Sequence, residues 1–210
     1  MDERFAHYVR ELFAVEDAGL AAARAGHAAE NLPDILISAD EGQLLHVLLR
    51  AVGARRVLEV GTLGGYSGVW LARALPAGGT LVTVERDSHH AAVARRAFAK
   101  AGVADRVELI QGAALDVLPT LKPPFDAVFL DADKAPLPTY LDWALRLLRR
   151  GGLLLCDNAF YDGAVLTPDD RGADAVGVRE FNRLAAADAR LSGTIVPVRD
   201  GLYVGVKVAD

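Results

Sequence analysis

Four acids and one lysine stand where short apolar runs of the sequence end. Glu59 lies in RVLEV (56–60), Glu85 closes TLVTVE (80–85), and Asp131 closes FDAVFLD (125–131), with Lys134 three residues later. Asp157 closes GLLLCD (152–157) and is followed by Asn158. Asp131, Asp157 and Asn158 together offer two carboxylates and an amide oxygen. Hard donors of this kind suit Mg²⁺ first, and also Ca²⁺ or Mn²⁺, with waters and a bound molecule completing the shell. Each acid is also an ordinary cap or turn residue, so the spacing leaves both readings open. No Cys/His spacing for zinc is present. Beside such an ion Lys134 would have its pKa lowered and could take a proton from a hydroxyl. The ion would also bring a phenol down from its usual pKa of about 10. A carboxylate at the position of Glu85 can accept hydrogen bonds from both hydroxyls of a ribose.

Between Glu59 and Glu85 runs Gly61-Thr62-Leu63-Gly64-Gly65-Tyr66-Ser67. Glycines after a strand let a ligand approach the backbone, and the helix that follows presents free N–H groups. Gly61, Thr62 and Gly65 are therefore candidate cofactor contacts. The spacing is G-x-x-G-G, whereas a dinucleotide fingerprint is G-x-G-x-x-G. Glu59 sits just before the loop, where a pyrophosphate would make an acid unwelcome and the cationic amine of a methionine tail would suit it. The residues thus favour a nucleoside carrying an amino acid over a nicotinamide cofactor. A NAD(P)-dependent oxidoreductase and a non-catalytic nucleoside-binding protein stay open as rivals. A hydrolase is disfavoured, since Ser67 lies in GGYSG and no G-x-S-x-G elbow occurs.

These residues need a scaffold that brings strand ends to one rim. Five apolar runs (the four above and RVELI, 106–110) alternate with segments of helical spacing such as 68–75, 90–102 and 140–150. That alternation predicts an α/β fold, a doubly wound Rossmann-like parallel sheet with helices on both faces. TIVPV (194–198) and LYVGVKV (202–208) are separated by only Arg199, Asp200 and Gly201, which predicts a C-terminal antiparallel hairpin at one edge. Residues 3–30 read as one or two Ala-rich helices. Residues 40–51 read as another, capped by Ser38 or Asp40. The whole chain, 1–210, reads as one domain, with N-terminal helices over 1–52 packing on a core over 53–210. The longest segment without clear periodicity, 159–173, carries Phe160 and Tyr161 and is a candidate lid. Ligands of an open parallel sheet bind outside the carboxyl ends of its strands, and there the four acids meet. No histidine falls at a strand end, so His7, His27, His46, His89 and His90 read as helical surface or packing residues, and Cys156 as core.

Composition narrows the setting. In 210 residues, 52% are hydrophobic, 24% are charged and the net charge is −5, a globular balance without the clustered Lys and Arg of a nucleic-acid binder. No apolar run approaches the roughly 18 residues of a membrane span. The acidic start, MDERFAHYVRELF, is unlike a signal peptide. One cysteine cannot form an internal disulfide. The expected location is the cytoplasm, with no nucleic-acid or membrane partner.

The segments SADEGQLL (38–45), VLEVGTLGGYS (57–67), FLDADK (129–134), CDNAFYDGAV (156–165) and VRDGLYV (198–204) closely resemble the cation-dependent O-methyltransferases. These include catechol and caffeoyl-CoA O-methyltransferases and their small bacterial relatives. The resemblance runs from about Ile37 to Val208. It implies S-adenosylmethionine as cofactor, a divalent cation, and a catechol-like or other vicinal-hydroxyl small molecule as acceptor. Position by position it implies Asp131, Asp157 and Asn158 as metal ligands and Lys134 as general base. It further implies Glu59, Gly61 and Ser67 at the methionine part of the cofactor, Glu85 at its ribose and Ala114 beside its adenine. Where the family often has Thr before SADEGQ this chain has Ile37, so only a backbone contact to the cofactor is expected there. The longer N-terminus and extra substrate segment of the plant enzymes are missing, which argues against a CoA-ester acceptor. The resemblance also implies a homodimer.

Overall fold

The central strands are apolar on both faces, and that dictates two helical layers. The computed structural model describes residues 3–210. In chain order its elements are α1 (Glu3–Phe13), α2 (Ala18–Ala29), α3 (Ala39–Ala51), β1 (Arg56–Val60), α4 (Tyr66–Ala74), β2 (Thr80–Glu85), α5 (Ser88–Lys100) and β3 (Val107–Gln111). There follow α6 (Ala114–Val117), β4 (Phe125–Leu130), α7 (Leu137–Leu147), β5 (Leu148–Cys156), α8 (Ala173–Ala187), β6 (Leu191–Val196) and β7 (Leu202–Lys207). The strands form one sheet in the order β3-β2-β1-β4-β5-β7-β6. The first five run parallel, and β7 pairs antiparallel with β5 and β6. This is the expected Rossmann-like sheet with its edge hairpin.

Side chains of a strand alternate between faces, and the core divides accordingly. Val57, Leu81, Ala127, Phe129 and Leu155 pack in a layer with α2, α3, α4 and α5. Leu58, Val60, Val82, Val128, Leu130 and Leu154 pack in the other with α7 and α8. Glu59 and Thr83 share the parity of Val57 and Leu81, so they point into the α4 layer and are fully buried. Local capping starts the helices: Asp17 accepts from the N–H groups of Gly19 and Leu20, and Asp87 from those of His89 and His90. Such caps satisfy N–H groups the first turn leaves free.

The N-terminal segment is two helices, within the sequence expectation. Three details differ from that expectation. The helix expected over 140–150 stops at Leu147, and β5 starts at Leu148; its pairing jumps from Phe125↔Leu148 to Ala127↔Leu153, so the residues between bulge out. Strand β6 covers Leu191–Val196, which lengthens the hairpin link to 197–201. Segment 159–173 contains a 3₁₀ turn, Ala164–Leu166. It is tied down by Arg179, which donates to the carbonyls of Ala164, Thr167 and Asp170.

Among the described residues, no helix is long and apolar enough to cross a membrane.

Candidate active site

Strands β1 and β4 lie side by side but continue to opposite sides of the sheet, through α4 and α7. Between their carboxyl ends opens a cavity of about 950 Å³, at the switch point where α/β sheets bind ligands. Of the sequence-predicted residues, Ile37, Gly61, Thr62, Ser67, Glu85, Ala114, Asp131, Lys134 and Asn158 line it. Glu59, Gly65 and Asp157 do not. Gly65, at φ +86°, is a packing position: a side chain there would press on Ala94 and Phe98 of α5. Glu59 and Asp157 lie under the cavity floor, 0% and 1% exposed.

One end of the cavity is built by the β1–α4 loop. Gly61 has φ +97°, and a Cβ there would meet the Asp131 carbonyl oxygen at 2.2 Å, so only glycine lets the two strand ends come together. Glu85 Oε2 accepts from the N–H groups of Thr62 (3.2 Å) and Leu63 (2.7 Å), and its Oε1 from that of Asp87 (2.9 Å). His90 Nδ1 stands 3.7 Å from Glu85 Oε1 and lines the cavity. His90 is a helical surface residue, as expected, and its place in the first turn of α5 puts it at the rim.

Beneath this end, Glu59 accepts from Ser67 Oγ and from Thr83 Oγ1, each at 2.6 Å. Burial pushes its carboxyl up to about 8; the two hydroxyl bonds oppose the rise, and the charges of Asp131 and Glu85 add to it. Reaching a cofactor amine from here would pass by Ser67, which joins Glu59 to the cavity wall.

The other end is acidic, with two basic side chains laid across it. Lys134 Nζ donates to Asp131 Oδ1 at 3.1 Å, and Arg199 Nη1 to Asp157 Oδ2 at 3.1 Å. Asp157 Oδ1 accepts the Asn158 N–H at 2.6 Å. Burial raises Asp131 to about 6, with Lys134 opposing and Asp157 adding to the rise. Lys134 is held by the acids around it. Burial, the largest influence on it, lowers its pKa, but attraction to Asp131 and Asp157 outweighs that and leaves it raised. The lowered value expected from sequence presupposed an ion beside it.

Helix α8 sets the loop that bears Lys134. Gly177 brings α8 against the backbone, where a Cβ would stand 2.2 Å from the Lys134 carbonyl oxygen. Asp174 accepts the Ala135 N–H at 2.8 Å and the Tyr161 hydroxyl at 3.3 Å. Tyr161 faces the cavity, whereas Phe160 packs over Gly201.

The donors at this end suit a divalent cation. Asn158 Nδ2 donates to Asp200 Oδ2 at 3.1 Å, which fixes the amide and leaves its oxygen for another partner. Two carboxylates and that oxygen form a hard set. Among the described residues, no three His, Cys, Asp or Glu side chains are gathered into a coordination shell; a cation here would take the Asn158 oxygen beside the two carboxylates.

Sequence reasoning missed Arg199 and Asp200, which sit on the hairpin link. Because β7 runs antiparallel to β5, the start of β7 lies beside the end of β5, and the link before it returns to the rim. The quoted segment VRDGLYV was the available signal.

Comparison with known proteins agrees with this geometry. The O-methyltransferase family model matches residues 11–208. The chain is 47% identical to a catechol O-methyltransferase of Mycobacterium tuberculosis, over 86% of this chain and 82% of that one. It is 41% identical to a catechol O-methyltransferase of Niastella koreensis, over 97% and 92%. The crystal structure of the O-methyltransferase TomG from Streptomyces achromogenes, in complex with S-adenosylmethionine, superposes with a TM-score of 0.93 at 42% identity, covering all of both chains.

Proposed function

Because the chain belongs to the O-methyltransferase family and is an S-adenosylmethionine-dependent enzyme, we propose that it methylates one hydroxyl of a catechol-like small molecule beside a divalent cation. The observation that carries this reading is the single cavity, which joins a nucleoside-type end (Gly61, Ser67, Glu85) to an oxygen-donor end (Asp131, Asn158, Lys134). A nicotinamide oxidoreductase or a passive nucleoside binder leaves the second end without work.

When bound, S-adenosylmethionine supplies an electrophilic methyl group, and the cation supplies positive charge that lowers the pKa of the acceptor hydroxyl. The chain's own residues do the rest. Glu85 receives the ribose hydroxyls, Ala114 lies beside the adenine, and Gly61, Thr62 and Ser67 with the backbone of Ile37 hold the methionine portion. Asp131, Asp157 and Asn158 hold the cation, Mg²⁺ in the first instance. With the cation's positive charge beside it, Lys134 would give up its own proton to solvent and, as the neutral amine, take the hydroxyl proton. Positioning and charge stabilisation then account for most of the acceleration. Tyr161 closes the acceptor side. The setting is cytoplasmic and the assembly a homodimer, for which the exposed Phe5, Tyr8, Leu12 and Phe13 of α1 offer a surface.

The test is methyl transfer to a panel of catechols with Mg²⁺ and with EDTA. Turnover is expected with Mg²⁺ and lost with EDTA. Turnover indifferent to EDTA would overturn the cation and leave the methyl donor standing.

Glu59 supplies a second measurable outcome. Its folded pKa of about 8 exceeds the ordinary 4.5, so the folded state holds the proton more tightly. The associated stability is complete below about pH 4.5 and is lost as pH rises through about 8. A cationic amine at Ser67 favours the carboxylate, so binding of S-adenosylmethionine near pH 7 is expected to release a fraction of a proton. Calorimetry in buffers of different ionisation enthalpy reads this directly. An apparent enthalpy independent of buffer would remove Glu59 from the amine site.

A further inference from the structure

Glu85 has room for only part of a ribose. Its Oε2 already accepts from the N–H groups of Thr62 and Leu63, and its Oε1 from that of Asp87. A carboxylate offers about four lone-pair positions, so these three bonds leave one place, on Oε1. A ribose brings two vicinal hydroxyls. Once the first has taken that place the second needs another polar partner, because a hydroxyl withdrawn from water without one is costly.

Among the described residues, few side chains at this end of the cavity could supply it. Gly112, Ala113, Ala114 and Leu115 line it without a polar side chain. Thr62 Oγ1 is bonded to Thr83 Oγ1. Arg86 is largely exposed and extends toward Asp133, 4.0 Å away. His90 lines the cavity, and its Nδ1 stands 3.7 Å from Glu85 Oε1, the oxygen with room. That separation is too long for a direct hydrogen bond. It leaves a gap that two neighbouring hydroxyls can fill, one on each side chain. The local chain holds the ring there, since the Asp87 N–H is bonded to Glu85 and Asp87 Oδ1 accepts the His90 N–H at 3.1 Å. The adjacent His89 turns elsewhere, with Nε2 3.4 Å from the Glu30 carbonyl oxygen. A ring nitrogen accepts from a hydroxyl or donates to it according to the tautomer.

We propose that His90 is a second ribose-binding residue: Glu85 Oε1 takes one ribose hydroxyl of the cofactor and His90 Nδ1 takes the other. This divides between two side chains the contact given above to Glu85, and it rests on S-adenosylmethionine as the cofactor.

The test is calorimetric titration of S-adenosylhomocysteine, and of its 2′-deoxy and 3′-deoxy ribose analogues, into the wild-type protein, His90→Phe and His90→Asn, without metal or acceptor. Phenylalanine keeps a ring and removes both nitrogens. Asparagine keeps a polar atom near the place of Nδ1. His90→Phe is expected to bind S-adenosylhomocysteine about 3- to 10-fold more weakly. That loss should vanish with the one deoxy analogue that lacks the hydroxyl held by His90, and persist with the other. Such non-additivity isolates a direct contact, whereas a role in packing, or in the charge around Glu85, would weaken all three ligands alike. His90→Asn is expected to recover part of the loss. No loss in His90→Phe, or the same loss with all three ligands, would overturn this proposal alone. Failure of the wild-type protein to bind S-adenosylhomocysteine would overturn the cofactor reading with it.

Discussion

Asp131→Ala is expected to lower methyl transfer to a catechol by on the order of 10²- to 10³-fold, with S-adenosylmethionine affinity within a few-fold of the parent. The side chain faces the acceptor end, where it accepts from Lys134 Nζ at 3.1 Å. The backbone serves the cofactor end, since the Asp131 carbonyl oxygen is the atom against which Gly61 packs. Alanine removes the first and keeps the second. The substitution deletes one of two carboxylates for the cation, so cation holding suffers, and with it the hydroxyl activation that depends on the cation. Steady-state kinetics at saturating Mg²⁺, with calorimetric titration of S-adenosylmethionine on the same preparation, separates the two ends. Full turnover in Asp131→Ala would show that this carboxylate does neither job. Loss of cofactor affinity in step with turnover would place it at the cofactor end instead.

Gly61→Ala is the second large effect, and it acts through the backbone. The residue has φ +97°, and a Cβ would stand 2.2 Å from the Asp131 oxygen and 3.0 Å from the Ala132 nitrogen. These are main-chain atoms at the end of a buried strand and cannot swing aside as a flexible side chain would. Strain at such a φ and overpacking of a closed contact each cost about 1–3 kcal/mol. Together they are expected to cost about 3 kcal/mol or more, which for a chain of this size lowers the melting temperature by roughly 6–12 °C. Relief can come only by parting β1 from β4, which pair from Val57↔Ala127 to Val60↔Leu130. Cofactor affinity should therefore fall together with stability. Calorimetric melting of Gly61→Ala checks the first, and titration at a temperature where it remains folded checks the second. An unchanged melting temperature would mean that the β1–α4 loop is held less closely than its geometry indicates.

The sequence by itself determined the architecture and the strand-end residues of the cavity. Alternating apolar runs and helical segments leave few topologies besides a parallel sheet. Once that is granted, strand ends such as Glu85, Asp131 and Asn158 must share a rim, because parallel strands all present their carboxyl ends to the same side. The donor types at Asp131, Asp157 and Asn158 were equally legible, being a property of residue chemistry and local order.

Only the tertiary structure decided depth and partnership. That Glu59 lies under the floor with Ser67 and Thr83 follows from strand parity and from the helix packed over that face. That attraction outweighs burial at Lys134 depends on Asp131 and Asp157 standing beside it. Arg199 and Asp200 reach the rim because an antiparallel strand carries the chain back to it, some forty residues after Asp157. Glu41 is the sharpest case. Its spacing after Ser38 describes a helix cap, and the capping half that would use its carboxylate is not made. Sequence periodicity reports which face of an element is buried. Which polar atoms meet inside, and which are left without a donor, depends on contacts between segments far apart in the chain.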